Sequence, residues 1–274
     1  MFNPEHPTLK ARIASGGCLA VAWLSLGSVA ITEAVARTKP DAIVIDMQHG
    51  LWERGDLEAA IGLVPHSIPV IVRVAENTAL AIGTALDAGA EGVMVPMIET
   101  AADARKSLAF AKYPPAGLRS GGGVRPLQNF AAYVKAAGDL VVIAMIETAA
   151  GLANADAISR IKGLDMVFIG TGDLALSLGT FGGDPLKHTQ ACARIQRACK
   201  AAGVACGTFT GTLKAAVEQQ ALGYGMVVVA NDMDVVMQGF AGAGAAFRKA
   251  VPAAPAVAEK KRAAPTGKPA RKAD

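Results

Sequence analysis

Eight times between residues 17 and 230, a short run of β-branched and apolar residues gives way to a longer stretch with helical spacing, and few folds accommodate that alternation. The runs at 17–26, 42–46, 69–74, 92–96, 140–147, 166–170, 206–210 and 225–230 are apolar nearly throughout, as strands covered on both faces are. The stretches at 29–37, 56–64, 78–88, 101–111, 127–136, 149–161, 188–202, 213–222 and 233–249 carry the helical pattern. Glycines at 89 and 203 stand where left-handed helix ends are expected. Eight strand–helix units in about 235 residues predict a closed (β/α)8 barrel, a TIM barrel, better than an open doubly wound sheet. No GxGxxG follows the first run, which removes the signature of a dinucleotide-binding sheet.

A single α/β domain is therefore expected over residues 1–250, with 1–12 as a polar lead-in. At 274 residues and 52% hydrophobic content, the chain can bury such a core. Ala, Pro and Lys dominate from 251 to 274, and this segment reads as a disordered tail. The net charge of +4 is concentrated there: 259–274 holds six Lys or Arg against two acids. The remainder is close to neutral, so no nucleic-acid-binding face is expected. Cysteines 18, 192, 199 and 206 contain no CxxC pair. Residues 192 and 199 lie about 10 Å apart along a helix axis, too far to bridge. Free thiols in a reducing cytoplasm are expected. The apolar runs are short and interrupted, and the N-terminus lacks a signal pattern, so neither export nor membrane insertion is expected.

In a barrel the C-terminal ends of all strands converge on one mouth. The residues there are Trp23, Asp46 with His49, Arg73, Pro96, Glu147, Asp173, Thr208 with Phe209, and Asn231 with Asp232. Glu147 and Asp173 each end an apolar run, one repeat apart. Paired this way they suit a divalent cation, because hard metals take oxygen ligands and leave positions to water or substrate. Asp173 alone could equally cap the helix it precedes. An arginine inside a Val/Ile strand, as Arg73 is, is costly to bury without purpose. His49 suits proton transfer, or is a loop histidine held by backbone. Trp23 could pack or wall a substrate, and Thr171-Gly172-Asp173 at a helix start offers backbone N–H groups to an anion. No lysine occupies a strand end: Lys39, Lys112, Lys135, Lys162 and Lys200 fall in helices or at their ends, which argues against Schiff-base chemistry.

Taken together, Asp46-Met47-Gln48-His49-Gly50, Arg73 after Pro-Val-Ile-Val, Val95-Pro96-Met97, Tyr113 to Arg119, Ile146-Glu147-Thr148 and Phe168 to Leu174 resemble the HpcH/HpaI aldolase family over about residues 8–248. The likeness is to its 4-hydroxy-2-oxoheptanedioate and 2-dehydro-3-deoxyglucarate aldolase branch. The resemblance implies a class II pyruvate aldolase of aromatic-compound catabolism that cleaves a 4-hydroxy-2-oxo acid to pyruvate and an aldehyde. It implies a divalent metal (Mg²⁺, Mn²⁺ or Co²⁺) on Glu147 and Asp173, and no organic cofactor. His49 matches the proton-transfer histidine, Arg73 the arginine that steadies the enolate, and Asp87 the aspartate partnering the histidine. Asp46 matches a further acid near the site. The resemblance also implies a homohexamer built as a trimer of dimers, with the last helix exchanged between partners. Trp23, Phe209 and the Pro/Gly loop 114–123 are expected to shape the aldehyde pocket, with Gly172 and Asp173 at the pyruvate carboxylate.

Three positions depart from the family pattern. Gln48 stands where Glu is frequent, Met145 where Gln is frequent, and Gly170-Thr171-Gly172-Asp173 replaces Gly-Pro-x-Asp, which adds backbone freedom. The alternatives are a decarboxylase or CoA-thioester lyase using the same enolate, for which no phosphate-binding basic stretch is found, and a barrel with no catalytic role.

Overall fold

The computed structural model describes residues 6–251. Eight parallel strands close into a barrel in sequence order: β1 (Leu19–Leu24), β2 (Ala42–Asp46), β3 (Val70–Arg73), β4 (Gly92–Val95), β5 (Val141–Ile146), β6 (Met166–Ile169), β7 (Ala205–Thr208) and β8 (Met226–Asn231), with β8 pairing back onto β1. Helices separate successive strands, so this is the expected (β/α)8 barrel. The strands are buried along nearly their whole length because their two faces meet two different cores. Val21, Val44, Ile71, Met94, Ile143, Met166, Phe168 and Val228 fill the barrel interior. Ile43, Ile45, Val72, Val93, Val142 and Val167 face outward onto the helices.

The described residues form two compact units, one up to Val236 and one from Met237. The first holds the barrel. The second is described as far as Val251 and contains the greater part of the helix Asp232–Ala250. The expected tail lies outside the described residues except for Val251.

The structure differs from the expected element map in several places: the helix expected at 127–136 is two, Val124–Leu127 and Phe130–Ala136, and a further helix, Thr171–Ser177, follows β6. A helix, Leu9–Ala14, begins inside the polar lead-in, capped by Thr8. Its Leu9 is fully buried in the interior cluster, against Gly92, where a Cβ would come within 2.9 Å of its Cδ2. One leucine plugging the barrel floor has no periodicity by which a sequence could announce it. The helix expected at 149–161 is instead two short ones, Ala149–Ala153 and Ala155–Ser159, broken at Asn154. Gly203 has the left-handed geometry expected of it, with φ of 69°, and Gly89 has φ of 105°.

The strand registers set the mouth. Asp46 on β2 is level with Arg73 on β3. Ile146 on β5 is level with Ile169 on β6, which brings the residues just beyond them, Glu147 and Gly170, side by side.

Candidate active site

One buried carboxylate organises the β1–β3 side of the mouth. Asp46 accepts two bonds from Arg73, Nε to Oδ1 at 2.8 Å and Nη2 to Oδ2 at 2.5 Å. Trp23 donates its Nε1–H to Oδ2 at 3.3 Å, and the guanidinium lies 4.9 Å from the Trp23 ring centroid. A fork-to-carboxylate pair with an aromatic face beneath it fixes a guanidinium far better than a single contact. Burial pushes the Asp46 carboxyl up, but Arg73 and the backbone N–H groups of His49 and Gln48 outweigh it and hold the carboxyl below its ordinary value. Those two N–H groups bond Oδ1 at 3.2 and 3.0 Å, so the acid that aims Arg73 also anchors the turn bearing His49. Gly50 completes that turn: a Cβ there would sit 2.2 Å from the Asp46 carbonyl oxygen, so only glycine fits. Asp232 braces it from behind, accepting from Ser25 and Leu26 N–H, while Leu51 N–H donates to the Ser25 carbonyl.

The β4–β6 side presents a second carboxylate in the opposite condition. Glu147 is fully buried, its Oε1 accepts from Met97 N–H at 2.7 Å, and its Oε2 has no partner. Burial drives its carboxyl up to about 7; the Met97 bond and Arg73 pull it down, while Asp173 and Asp46 push it up. Asp173 is therefore close enough to be felt, in the first turn of the helix Thr171–Ser177 that follows β6. Gly170 makes the approach possible, since a Cβ there would lie 2.3 Å from Glu147 Oε2. Met97 makes its bond from a left-handed backbone, φ 56°, uncommon for a residue other than glycine.

A buried, unpartnered carboxylate oxygen beside a second acid is unfavourable unless a cation joins them. The pair therefore fits a hard divalent metal, with Glu147 Oε2 and Asp173 as ligands. Among the described residues no cluster of three or more His, Cys, Asp or Glu is available to a metal. Two protein carboxylates leave the remaining positions to water and substrate, as Mg²⁺ prefers.

Several expected site residues are placed elsewhere. Trp23 is only 3% exposed, edge-on to Phe209 at 5.3 Å and stacked near Phe168 at 6.0 Å, and its ring lies beneath Arg73. Phe209 is half-buried just beyond β7. Gly172 meets no crowding that demands glycine; that constraint falls on Gly170, and neither it nor Met97 stood among the expected site residues. Met145 is buried, with its Cε packed under Gly170, so an apolar contact occupies the position of the missing glutamine. Gln48 keeps its Oε1 buried and unbonded.

Asp87 is not brought to His49. It ends the helix Ala79–Asp87, which returns the chain to the strand starts, where Glu91 N–H bonds the carbonyl of Val70, the first residue of β3. His49 follows the end of β2, at the other face. Asp87 instead pairs with Arg119 at 2.7 Å, and Arg119 lies over the rings of Tyr113 and Tyr133. The loop 114–123 belongs to the same end: Leu118 and Arg119 N–H bond the carbonyls of Ala109 and Lys112, at the end of the helix Ala101–Ala111. It cannot line the mouth of its own barrel, contrary to its expected role.

Two acids, an arginine clamp and a histidine thus share one mouth of the barrel. Residues 19–238 match the sequence model of the HpcH/HpaI aldolase/citrate lyase family. A hydroxypyruvate/pyruvate aldolase of Rhizorhabdus wittichii is 39% identical over 77% of this chain and 86% of its own length. A 4-hydroxy-2-oxovalerate aldolase of Novosphingobium aromaticivorans is 36% identical over 72% of this chain and 79% of its own. The crystal structure of an HpcH/HpaI aldolase/citrate lyase family protein from Burkholderia cenocepacia superposes with a TM-score of 0.83 at 32% identity, covering 88% of this chain and 98% of that one. The chain belongs to the HpcH/HpaI aldolase/citrate lyase family and is a carbon–carbon lyase. No helix among the described residues is long and apolar enough to cross a membrane.

Proposed function

We propose that the protein is a class II pyruvate aldolase, cleaving a 4-hydroxy-2-oxo acid to pyruvate and an aldehyde and running the reverse addition. The observation that carries this is the contrast between two acids at one mouth: Asp46 bonded through both oxygens to Arg73, Trp23 and two backbone N–H groups, and Glu147 with one oxygen unpartnered beside Asp173. Glu147 and Asp173 would hold a divalent cation, which would supply Lewis acidity to the bound 2-oxo acid.

Arg73 uses Nε and Nη2 on Asp46 and keeps Nη1 for the substrate's C2 oxygen, where negative charge grows as the C3–C4 bond breaks. Because Asp46 and Trp23 already hold the guanidinium, little reorganisation is needed at that moment. His49 takes the C4 hydroxyl proton during cleavage and returns it in synthesis. First-turn N–H groups at Gly172 and Asp173 lack intrahelical acceptors and suit the 2-oxo acid carboxylate. The names of the two aldolase relatives support a pyruvate-type donor.

Asp87 can serve His49 only from another chain, so that role goes with the oligomer that the resemblance implies. Two separate observations support assembly. The barrel unit carries a groove of about 480 Å³ beside β1 and β8, lined by Ala22, Leu24, Ile31, Val35 and Val229. The terminal helix exposes Met237, Phe240 and Phe247, apolar surface suited to a second chain. A trimer of dimers with exchanged last helices accounts for both.

Exchange of pyruvate methyl protons in D₂O tests the donor half-reaction without committing to an aldehyde. The expected result is exchange that stops on EDTA treatment, returns with Mg²⁺ or Mn²⁺, and is lost in Glu147→Gln. Exchange that survives thorough chelation sinks the proposal.

A further inference from the structure

The helix that presents Asp173 starts differently from its neighbours. Ser28, Thr78, Thr100, Thr148, Asp184 and Thr212 each cap a helix with a side-chain oxygen. The helix Thr171–Ser177 begins on Gly170 and has no side-chain cap. A capping residue cannot replace Gly170, because Glu147 Oε2 occupies the space its Cβ would need. The clearance that lets the two acids approach therefore leaves the turn uncapped. Thr171 does not stiffen it, whereas proline at this first helical position would fix φ. Gly172, which nothing crowds, adds further freedom between Thr171 and Asp173.

Restraint comes instead from two other segments. Thr171 Oγ1 donates to the Phe209 carbonyl just beyond β7, a long bond of 3.4 Å. His188, half-buried on the long helix Pro185–Ala202, reaches the Thr171 carbonyl through Nε2 at 3.0 Å. A carbonyl only accepts, so Nε2 carries the proton in this bond. The adjacent Lys187 donates to the Leu178 carbonyl at 3.0 Å, so one long helix holds the short one at both ends.

Resting on the pyruvate aldolase reading, we propose that His188 is a positioning residue for the reaction: by holding the Thr171 carbonyl it fixes the turn from which Asp173 meets Glu147. It touches neither substrate nor cation and acts through the backbone from Thr171 to Asp173. In this chain it does what a side-chain cap or a proline would do at the same turn.

The test measures Mn²⁺ affinity by electron paramagnetic resonance, and pyruvate proton exchange, in the full chain. Wild type is compared with His188→Ala, His188→Gln, Lys187→Ala and the double variant His188→Ala/Thr171→Pro. His188→Ala is expected to weaken Mn²⁺ binding by about tenfold, the lower end for residues that orient a metal ligand from behind. With Mn²⁺ saturating, kcat for exchange should fall by less than about threefold, because Arg73 and His49 are anchored separately on Asp46. Glutamine can place its amide nitrogen where the imidazole Nε2 stood and should keep affinity within about twofold of wild type. Gly170, at φ −81° and ψ 87°, already has the non-helical backbone that a following proline requires. The double variant should therefore return to within about threefold of wild-type affinity. Lys187→Ala removes a bond between the same two helices at the end away from Asp173 and should change Mn²⁺ affinity by less than about twofold. An unchanged affinity in His188→Ala, an equal loss in Lys187→Ala, or a loss that neither glutamine nor proline relieves overturns the inference. Failure of the aldolase reading shows itself separately, as wild type that binds Mn²⁺ but exchanges no pyruvate protons; wild type that binds no Mn²⁺ overturns both.

Discussion

Glu147→Gln separates the functional role of the site from its structural cost. The Glu147 carboxyl stands at about 7 in the folded chain, against 4.5 for an unperturbed glutamate, chiefly because it is buried. The folded state thus holds this proton more tightly than the unfolded state, so stability falls as pH rises from about 4.5 and the loss is complete above about 7. The gap corresponds to about 3 kcal/mol. Glutamine can keep the Met97 bond through its oxygen and removes the charge, but places an amide N–H₂ where Oε2 lacked a partner, a cost of about 1–2 kcal/mol. Without metal, the substitution should stabilise the protein by about 1–2 kcal/mol at pH 8, or roughly 2–6 °C for a chain of this size. At pH 5 it should bring no gain or a small loss. Calorimetry in EDTA at both pH values reads the difference. With Mn²⁺ at about a hundred times its dissociation constant, wild type should gain about 2.7 kcal/mol and the variant nothing. A variant equally destabilised at both pH values would refute the claim that Glu147 is a carboxylate held ready for a cation.

Metal binding should itself depend on that proton: below about pH 7, Mn²⁺ affinity is expected to fall by up to about tenfold per pH unit, measurable by titration calorimetry with proton release. Asp46→Asn leaves the buried Arg73 without its counter-charge, so a loss of about 3–5 kcal/mol in unfolding free energy should accompany reduced pyruvate proton exchange. Arg73→Lys cannot reproduce the fork to Asp46, and kcat for cleavage should drop by about a hundredfold with a smaller change in KM. Mixing inactive His49→Ala and Asp87→Ala chains should restore up to about a quarter of wild-type activity if Asp87 acts across chains. No recovery would confine Asp87 to pairing with Arg119.

The strand–helix alternation, the closed barrel and the gathering of Asp46, His49, Arg73, Glu147 and Asp173 at one mouth were all legible in the chain. Barrel topology maps each of these residues onto a strand end by its place in the repeat alone. Topology puts Asp87 and the loop 114–123 at the opposite face of their own barrel, and the resemblance that gave Asp87 to His49 does not say which chain supplies a residue. Met97 and Gly170 escaped notice for a different reason. Their importance lies in a backbone angle and in a distance of 2.3 Å from a virtual Cβ to Glu147 Oε2, and neither leaves a mark in residue type or spacing. Periodicity determined the architecture because burying two faces of a strand is a local, repeating requirement. Only the tertiary structure decided the state of each acid, pairing Asp46 with Arg73 and leaving Glu147 unpartnered, because the charge a carboxylate keeps depends on neighbours far away in sequence.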